Sequence, residues 1–176
     1  VNENTKYDFA NIYNGKKILV EHSSPNLFKQ FHIGHVMNNT IVEAITRLAR
    51  ASGADVNVIS YPSDVSLGIA KAVYIVLQDG IDKLNSFSTD YEKLAYLGEC
   101  YVRGTKAYDD EDGVQQKVRE IVKCLYDHIE GPELDAYELG KQINLEYFKN
   151  TVARLGTKFD AYIFESEAGV EGKQIV

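Results

Sequence analysis

The stretch from Lys16 to Ser60 constrains this chain more than any other. Lys16-Lys17-Ile18-Leu19-Val20-Glu21 is a short apolar run with a charged start, the pattern of a strand buried on both faces of a parallel sheet. A polar turn, Ser23-Ser24-Pro25-Asn26, interrupts it. From Ile33 the apolar residues Ile33, Val36, Met37, Ile41, Ala44, Ile45, Leu48 and Ala49 recur at three- and four-residue spacing, which predicts an amphipathic helix ending near Gly53. Val56-Asn57-Val58-Ile59-Ser60 then reads as a second strand. Strand, helix and strand in this order make a βαβ unit with a right-handed crossover, half of a Rossmann-type parallel sheet.

After Tyr61-Pro62-Ser63-Asp64 the alternation gives way to helix after helix. Leu67, Ala70, Val73, Tyr74, Leu77, Ile81 and Leu84 mark one helix, and Thr89-Asp90-Tyr91-Glu92 is a capping box that opens another. A third carries Val114, Val118, Ile121, Val122, Leu125 and Ile129 and stops at Gly131-Pro132; a fourth runs from about Glu133 to Leu155, with Gly156 as its cap. The acidic run Asp109-Asp110-Glu111-Asp112 reads as a solvated loop leading into a helix N-terminus. Phe159 to Phe164 returns to β-like alternation. The expected fold is therefore α/β, a Rossmann-type half-sheet with a large helical insertion. Residues 1–65 form its first half, 66–156 the insertion and 157–176 the return strand. Residues 1–14 are a lead-in packed by Tyr7, Phe9, Ile12 and Tyr13.

A sequence of 176 residues with 44% hydrophobic and 26% charged positions is that of a soluble globular domain. No apolar run approaches the ~20 residues of a bilayer span, and the start has no signal-peptide layout, so the expectation is a cytoplasmic protein without a membrane partner. Cys100 and Cys124 fall in helical patterns without a second pair and read as plain thiols. The net charge of −7 argues against a dedicated nucleic-acid domain. Its distribution is uneven, with +1 over residues 1–62 and −8 over 63–176, so the acid lies away from the strand–helix junction.

That junction is where doubly wound folds bind ligands, because the first helical turn offers free backbone donors and the positive end of its dipole. It carries His32-Ile33-Gly34-His35. Two histidines three residues apart on one helix face can form a metal pair, but no third ligand lies nearby, so a bound metal is not expected. Phosphate is the better match. Glu21 also has a plainer, lesser reading as a surface acid at a strand end.

The tetrad at a helix start after a first strand resembles the signature of class I aminoacyl-tRNA synthetases. Within that class, Glu21-His22-Ser23-Ser24-Pro25-Asn26 with Lys29 and the tetrad in register resembles arginyl-tRNA synthetase, whose usual pattern is Glu-Phe-Ser-Ser-Pro-Asn and then His-x-Gly-His. Leu155-Gly156, Phe159-Asp160 and Glu165-Ser166 match a further segment of the family, so the likeness extends from about Gly15 to Ser166. His22 stands where Phe is usual, Gln30 where Pro is common, and Val36-Met37 where Leu-Arg commonly follows; of the family's Gly-Asp-Trp-Gly only Asp64 and Gly68 survive.

The resemblance implies an ATP-dependent ligase. Lys29, His32, Gly34 and His35 would hold ATP, with His32 and His35 catalytic; Glu21, Ser24, Pro25, Asn26 and His35 would line the arginine pocket. The physical logic is that activation stabilises charge on phosphate oxygens, and that a carboxylate is the planar partner of a guanidinium. Mg2+ would accompany ATP, and L-arginine, ATP and tRNA(Arg) would be the partners of a monomeric enzyme. No Lys-Met-Ser-Lys-Ser loop, second nucleotide-fold half or anticodon-binding domain is present, so the expectation is a part of a longer synthetase, weakly active by itself. A non-catalytic nucleotide-binding module and another nucleotidylyltransferase of the same fold remain alternatives; nothing in the transferases requires Glu21 to Asn26.

Overall fold

The computed structural model describes residues 11–172 and 175. Strand β1 (Lys17–Glu21), helix α1 (Ile33–Ala51) and strand β2 (Asp55–Ser60) form the expected βαβ unit, with β1 and β2 parallel from Lys17 opposite Asp55 to Glu21 opposite Ile59. Five helices follow: α2 (Leu67–Asp79), α3 (Asp82–Asn85), α4 (Asp90–Asp110), α5 (Val114–Tyr126) and α6 (Pro132–Arg154). The chain then returns to the sheet as β3 (Ala161–Tyr162), parallel to β2, in the order β1-β2-β3, and continues into α7 (Glu165–Gly172). This is the α/β half-sheet with a helical insertion between its second and third strands.

Local chemistry accounts for most boundaries. Thr89 caps α4 through the amide of Glu92, whose carboxylate returns to the Thr89 amide at 3.0 Å. Pro132 opens α6, where a missing N–H costs nothing, and Gly156 follows its end with φ +80. Gly80, at φ +91, divides the first predicted helix, so Ile81 and Leu84 belong to the short α3 and its cap rather than to α2. The return strand is shorter than Phe159 to Phe164, because only Asp160 N to Val58 O and Ile163 N to Ser60 O flank its two paired residues. Helix α7 was not anticipated; its signal is the pair Glu165 and Glu167 in a first turn.

Two cores result. One lies within the helical insertion and takes in Leu27 and Phe28 from the turn before α1. The other joins Val56 and Val58 of β2 to Ala49, Phe148, Val152 and Phe159.

Three expectations require correction. Strand β1 is not buried on both faces: Ile18 and Val20 pack inward, whereas Leu19 is 67% exposed. Ile12 and Tyr13 of the lead-in are exposed rather than packed, and Tyr7 and Phe9 lie outside the described residues. The apolar stripe of α1 faces outward as well. Ile33, Met37, Ile41, Ile45 and Leu48 are 51% to 81% exposed, while Asn39, Glu43, Thr46 and Ala49 are buried. On the buried polar side Asn39 donates to Ser23 Oγ at 3.0 Å and accepts from Thr157 Oγ1 at 3.0 Å, and Arg47 donates to Glu43 Oε1 at 2.8 Å, while Glu43 Oε2 and Thr46 Oγ1 have no hydrogen-bond partner. An exposed apolar row of that length is unusual on a free surface.

Candidate active site

The turn after β1 is held in a conformation that few residues adopt. Ser23 has φ 53, and this backbone is fixed from both sides: Ser60 Oγ donates to its carbonyl at 2.9 Å and its own amide donates to Asn38 Oδ1 at 3.3 Å. Beyond this reversal the Ser24 hydroxyl reaches back to donate to Glu21 Oε1 at 3.0 Å while accepting from the Tyr61 amide at 2.9 Å. Pro25 accepts from the Ser63 amide, Leu27 donates to the Ser63 carbonyl, and Asn26 forms a parallel bridge with Ser63. Glu21, Ser24, Pro25 and Asn26 are thus assembled along one segment, 61–63, with Glu21 and Asn26 exposed.

The histidine pair builds the start of α1. His32 is the N-cap, its Nδ1 accepting from the Gly34 amide at 3.1 Å, and His35 Nδ1 accepts from the His32 amide at 3.2 Å. The two rings stack with centroids 3.7 Å apart. An Nδ1 that accepts a hydrogen bond carries no proton, so both neutral rings must hold theirs on Nε2. In this tautomer each ring offers an Nε2–H donor, and Lys29 and the helix dipole add a positive field at the junction. A side chain at Gly34 would sit 3.0 Å from His32 Cε1, so the glycine is what lets the His32 ring fold over the helix start.

Burial, then the charges of His32 and Lys29, depress the His35 pKa below its usual 6.5. Protonation at Nδ1 would remove the acceptor that receives the His32 amide. A depressed folded-state pKa contributes stability that is present above the unfolded value of 6.5 and is lost as pH falls through the folded one. In a histidine-ring NMR titration His35 is expected to titrate below 6.5, with the signal of the His32 amide that it accepts moving in the same acid range. A midpoint above 6.5 with the His32 amide unmoved would show that the cap does not require the neutral ring.

The helical insertion reaches into the same region. Lys29 Nζ lies 4.1 Å from the centre of the Tyr101 ring on α4, a cation–π contact, and its carbonyl accepts from Asn144 Nδ2 on α6 at 3.3 Å. Phe28, with φ 63, fits against α6 only because residue 140 is glycine: a Cβ there would fall 2.4 Å from the Phe28 ring. Phe31 continues this contact, 4.9 Å from the His35 ring and 5.8 Å from Phe148. His22 points to the sheet core, 5.0 Å from Phe159, where it serves as an aromatic in the place of the family's Phe; burial lowers its pKa more than Glu43 raises it.

Sequence reasoning missed several groups. Tyr61 supplies a backbone donor, which side-chain patterns do not reveal, and Tyr101 looked like one more core position of α4. Asp64 is completely buried and bonded to Tyr137, Lys141 and Ser166; its presence in the loop and the Glu165-Ser166 pair were the available signals. A groove of about 700 Å³ runs along α6 from Glu138 to Asn150 and contains none of the junction residues. Chemistry, rather than volume, places the candidate site at the start of α1.

The sequence matches the family described as tRNA synthetases class I (R), catalytic domain, over residues 1–169. It is 31% identical over 174 residues to an arginine–tRNA ligase of Treponema denticola, covering 97% of this chain and 29% of that protein. An arginine–tRNA ligase of Encephalitozoon cuniculi is 30% identical over 168 residues, with 94% and 29% covered. Among solved structures, the arginyl-tRNA synthetase of Thermus thermophilus superposes with a TM-score of 0.67 at 24% identity, over 93% of this chain and 26% of that one; this likeness concerns the fold. The chain spans under a third of the length of these relatives. With the histidine-capped helix and the glutamate–serine turn both lying inside the matched region, this chain belongs to the class I tRNA synthetases, in the arginyl catalytic-domain family.

Proposed function

We propose that this chain supplies the first half of an arginine-activating catalytic domain, which in a full-length enzyme joins L-arginine to ATP as arginyl-adenylate and passes the arginyl group to tRNA(Arg). The observation that carries this reading is the placement of two unlike recognition groups at one strand–helix junction. Glu21 is an exposed carboxylate steadied by Ser24, and the His32–His35 pair at the helix start has both Nδ1 atoms engaged by backbone amides, which leaves its Nε2–H groups as donors for a ligand.

In the activation step the arginine carboxylate oxygen attacks the α-phosphorus, the new O–P bond forms, and the bond to the bridging oxygen breaks with its electron pair leaving on pyrophosphate. No protein nucleophile is needed. Glu21 pairs with the guanidinium, Ser24 orients Glu21, and Asn26 borders the same pocket. His32 and His35 donate to the phosphate oxygens as their charge builds, and Lys29 adds a full positive charge after leaving or sharing the Tyr101 ring. Gly34 keeps the backbone approachable for the nucleotide. Mg2+ belongs to this scheme as the ion carried by ATP.

The domain division follows: 1–65 carries the recognition groups, 66–156 buttresses them, and 157–176 returns to the sheet. The exposed stripe on α1 and the open face at Leu19 support a reading in which further polypeptide, of the kind the longer relatives possess, covers them. As a component of translation the enzyme would act in the cytoplasm; among the described residues no helix is long and apolar enough to cross a membrane.

The test is ATP–pyrophosphate exchange by a full-length protein carrying this sequence. Exchange is expected with arginine and not with lysine or citrulline, which lack a guanidinium. Exchange indifferent to the amino acid, or none with arginine, would overturn the reading.

A further inference from the structure

Asp64 is completely buried, and a buried carboxylate persists only where it is fully bonded. Its Oδ2 accepts from Lys141 Nζ at 2.7 Å, Ser166 Oγ at 2.6 Å and Tyr137 Oη at 3.0 Å, and its Oδ1 accepts from the Ser166 amide at 2.9 Å. Burial raises its pKa, but the bonds from Lys141 and Ser166 outweigh that and hold the carboxyl below the usual range, so it stays charged near neutral pH. Three segments far apart in the chain, the loop after β2, the middle of α6 and the first turn of α7, thus meet on one side chain.

The neighbouring residues hold the turn. Ser63 grips the turn at Pro25 and Leu27 through its backbone, with its hydroxyl donating to Glu165 at 2.6 Å, and the Tyr61 amide donates to the Ser24 hydroxyl that holds Glu21. Segment 61–64 is accordingly bonded along one side to the turn carrying the amino-acid pocket and at its end to the helical insertion and α7.

We infer that Asp64 is a positioning residue for arginine, acting through segment 61–64 to set the Ser24–Glu21 geometry. This rests on the arginine-activating reading above. It also gives the helical insertion a role in the site: Tyr137 and Lys141 of α6 become part of the support for a pocket whose own residues lie in the first half of the sheet. Lys141 is mostly buried at 15% side-chain exposure, so removing the Asp64 charge leaves its ammonium without its partner and slackens the junction from the α6 side.

The experiment compares Asp64→Asn with the unmodified full-length enzyme. The KM for arginine is expected to rise on the order of 10-fold, about one decade of binding, while the KM for ATP and kcat stay within about twofold, since α1 and its cap receive no bond from Asp64. Adding Lys141→Met, which removes the stranded ammonium, is expected to recover part of the arginine KM. Amide exchange provides a readout independent of substrate: Leu27 and Ser63 should lose protection, while the His22 amide, bonded to Ile59 in the sheet, should keep it. Should Asp64→Asn fail to fold, Tyr137→Phe withdraws one hydroxyl with its ring in place, and a rise in arginine KM alone of about threefold, near half a decade, is expected.

Equal rises in both KM values, or an unchanged arginine KM, would overturn the inference, as would unchanged protection at Leu27 and Ser63. Failure of the unmodified enzyme to exchange pyrophosphate with arginine would instead overturn the functional reading. In that case the exchange of Leu27 and Ser63 still decides whether Asp64 holds the turn.

Discussion

Replacing Glu21 with glutamine in the full-length enzyme is expected to raise the KM for arginine by at least ~30-fold and leave the KM for ATP nearly unchanged. The magnitude follows from what the guanidinium loses. It is always charged, and withdrawing the carboxylate that faces it typically costs ~2 to 5 kcal/mol, of which the lower bound gives the ~30-fold figure at 1.4 kcal/mol per decade. Glutamine preserves length and one acceptor oxygen, so it tests charge rather than packing. Ser24 can still donate to that oxygen, and its hydroxyl remains tied to the Tyr61 amide, so the turn itself should survive the change. The measurement is initial-rate pyrophosphate exchange against arginine and ATP separately. An unchanged arginine KM would make Glu21 an ordinary acid at a strand end and move amino-acid recognition to other parts of the enzyme.

What the sequence revealed about this site divides along physical lines. The strands, α1 and the long helices were legible because each leaves a period or a cap, as Thr89 and Glu92 do for α4. The tetrad and the Glu21–Asn26 turn were legible as a motif, and the structure joins them through Ser23, which bonds to Asn38 and Asn39 of the same helix. The division of α2 from α3 depends on one left-handed glycine, which a continuing apolar pattern hides. The orientation of α1 could not be read from its period. An amphipathic pattern says that one side differs from the other, and the usual inference that the apolar side faces inward fails here, where the buried side carries Asn39, Glu43 and Thr46 and the apolar row is exposed.

The support behind the site was hidden for a different reason. Asp64 meets Lys141 and Ser166 across 77 and 102 positions of sequence, and no local pattern encodes such a meeting. The same holds for Phe28 against Gly140 and for Lys29 over Tyr101. In each case a residue of the recognition turn ends on a helix of the insertion. The insertion is therefore more than a spacer between two strands: it fixes the backbone of the turn at Phe28 and Lys29 and holds the segment on which Ser24 rests.

The second large effect is expected at His32. In His32→Ala, kcat for activation should fall by about 10²- to 10³-fold, the range for losing one donor aimed at charge that develops in the transition state, with a much smaller change in the KM for arginine. In the proposed scheme this residue has two tasks that the alanine change removes together. Its Nε2–H would be the donor, while its Nδ1 caps α1 by accepting from the Gly34 amide, a contact whose loss costs ~1 kcal/mol of stability. Asparagine separates them, because it is among the best N-cap residues yet is too short to place a donor where the imidazole edge lies. His32→Asn is expected to restore the melting temperature toward that of the unmodified enzyme while kcat stays low. The stacked His35 ring, 3.7 Å away, cannot compensate, since its own Nδ1 is engaged by the His32 amide and its Nε2–H serves a different position. If His32→Asn recovers kcat along with the melting temperature, the histidine is only a helix cap, and the phosphate charge must be met by Lys29 and the helix amides alone.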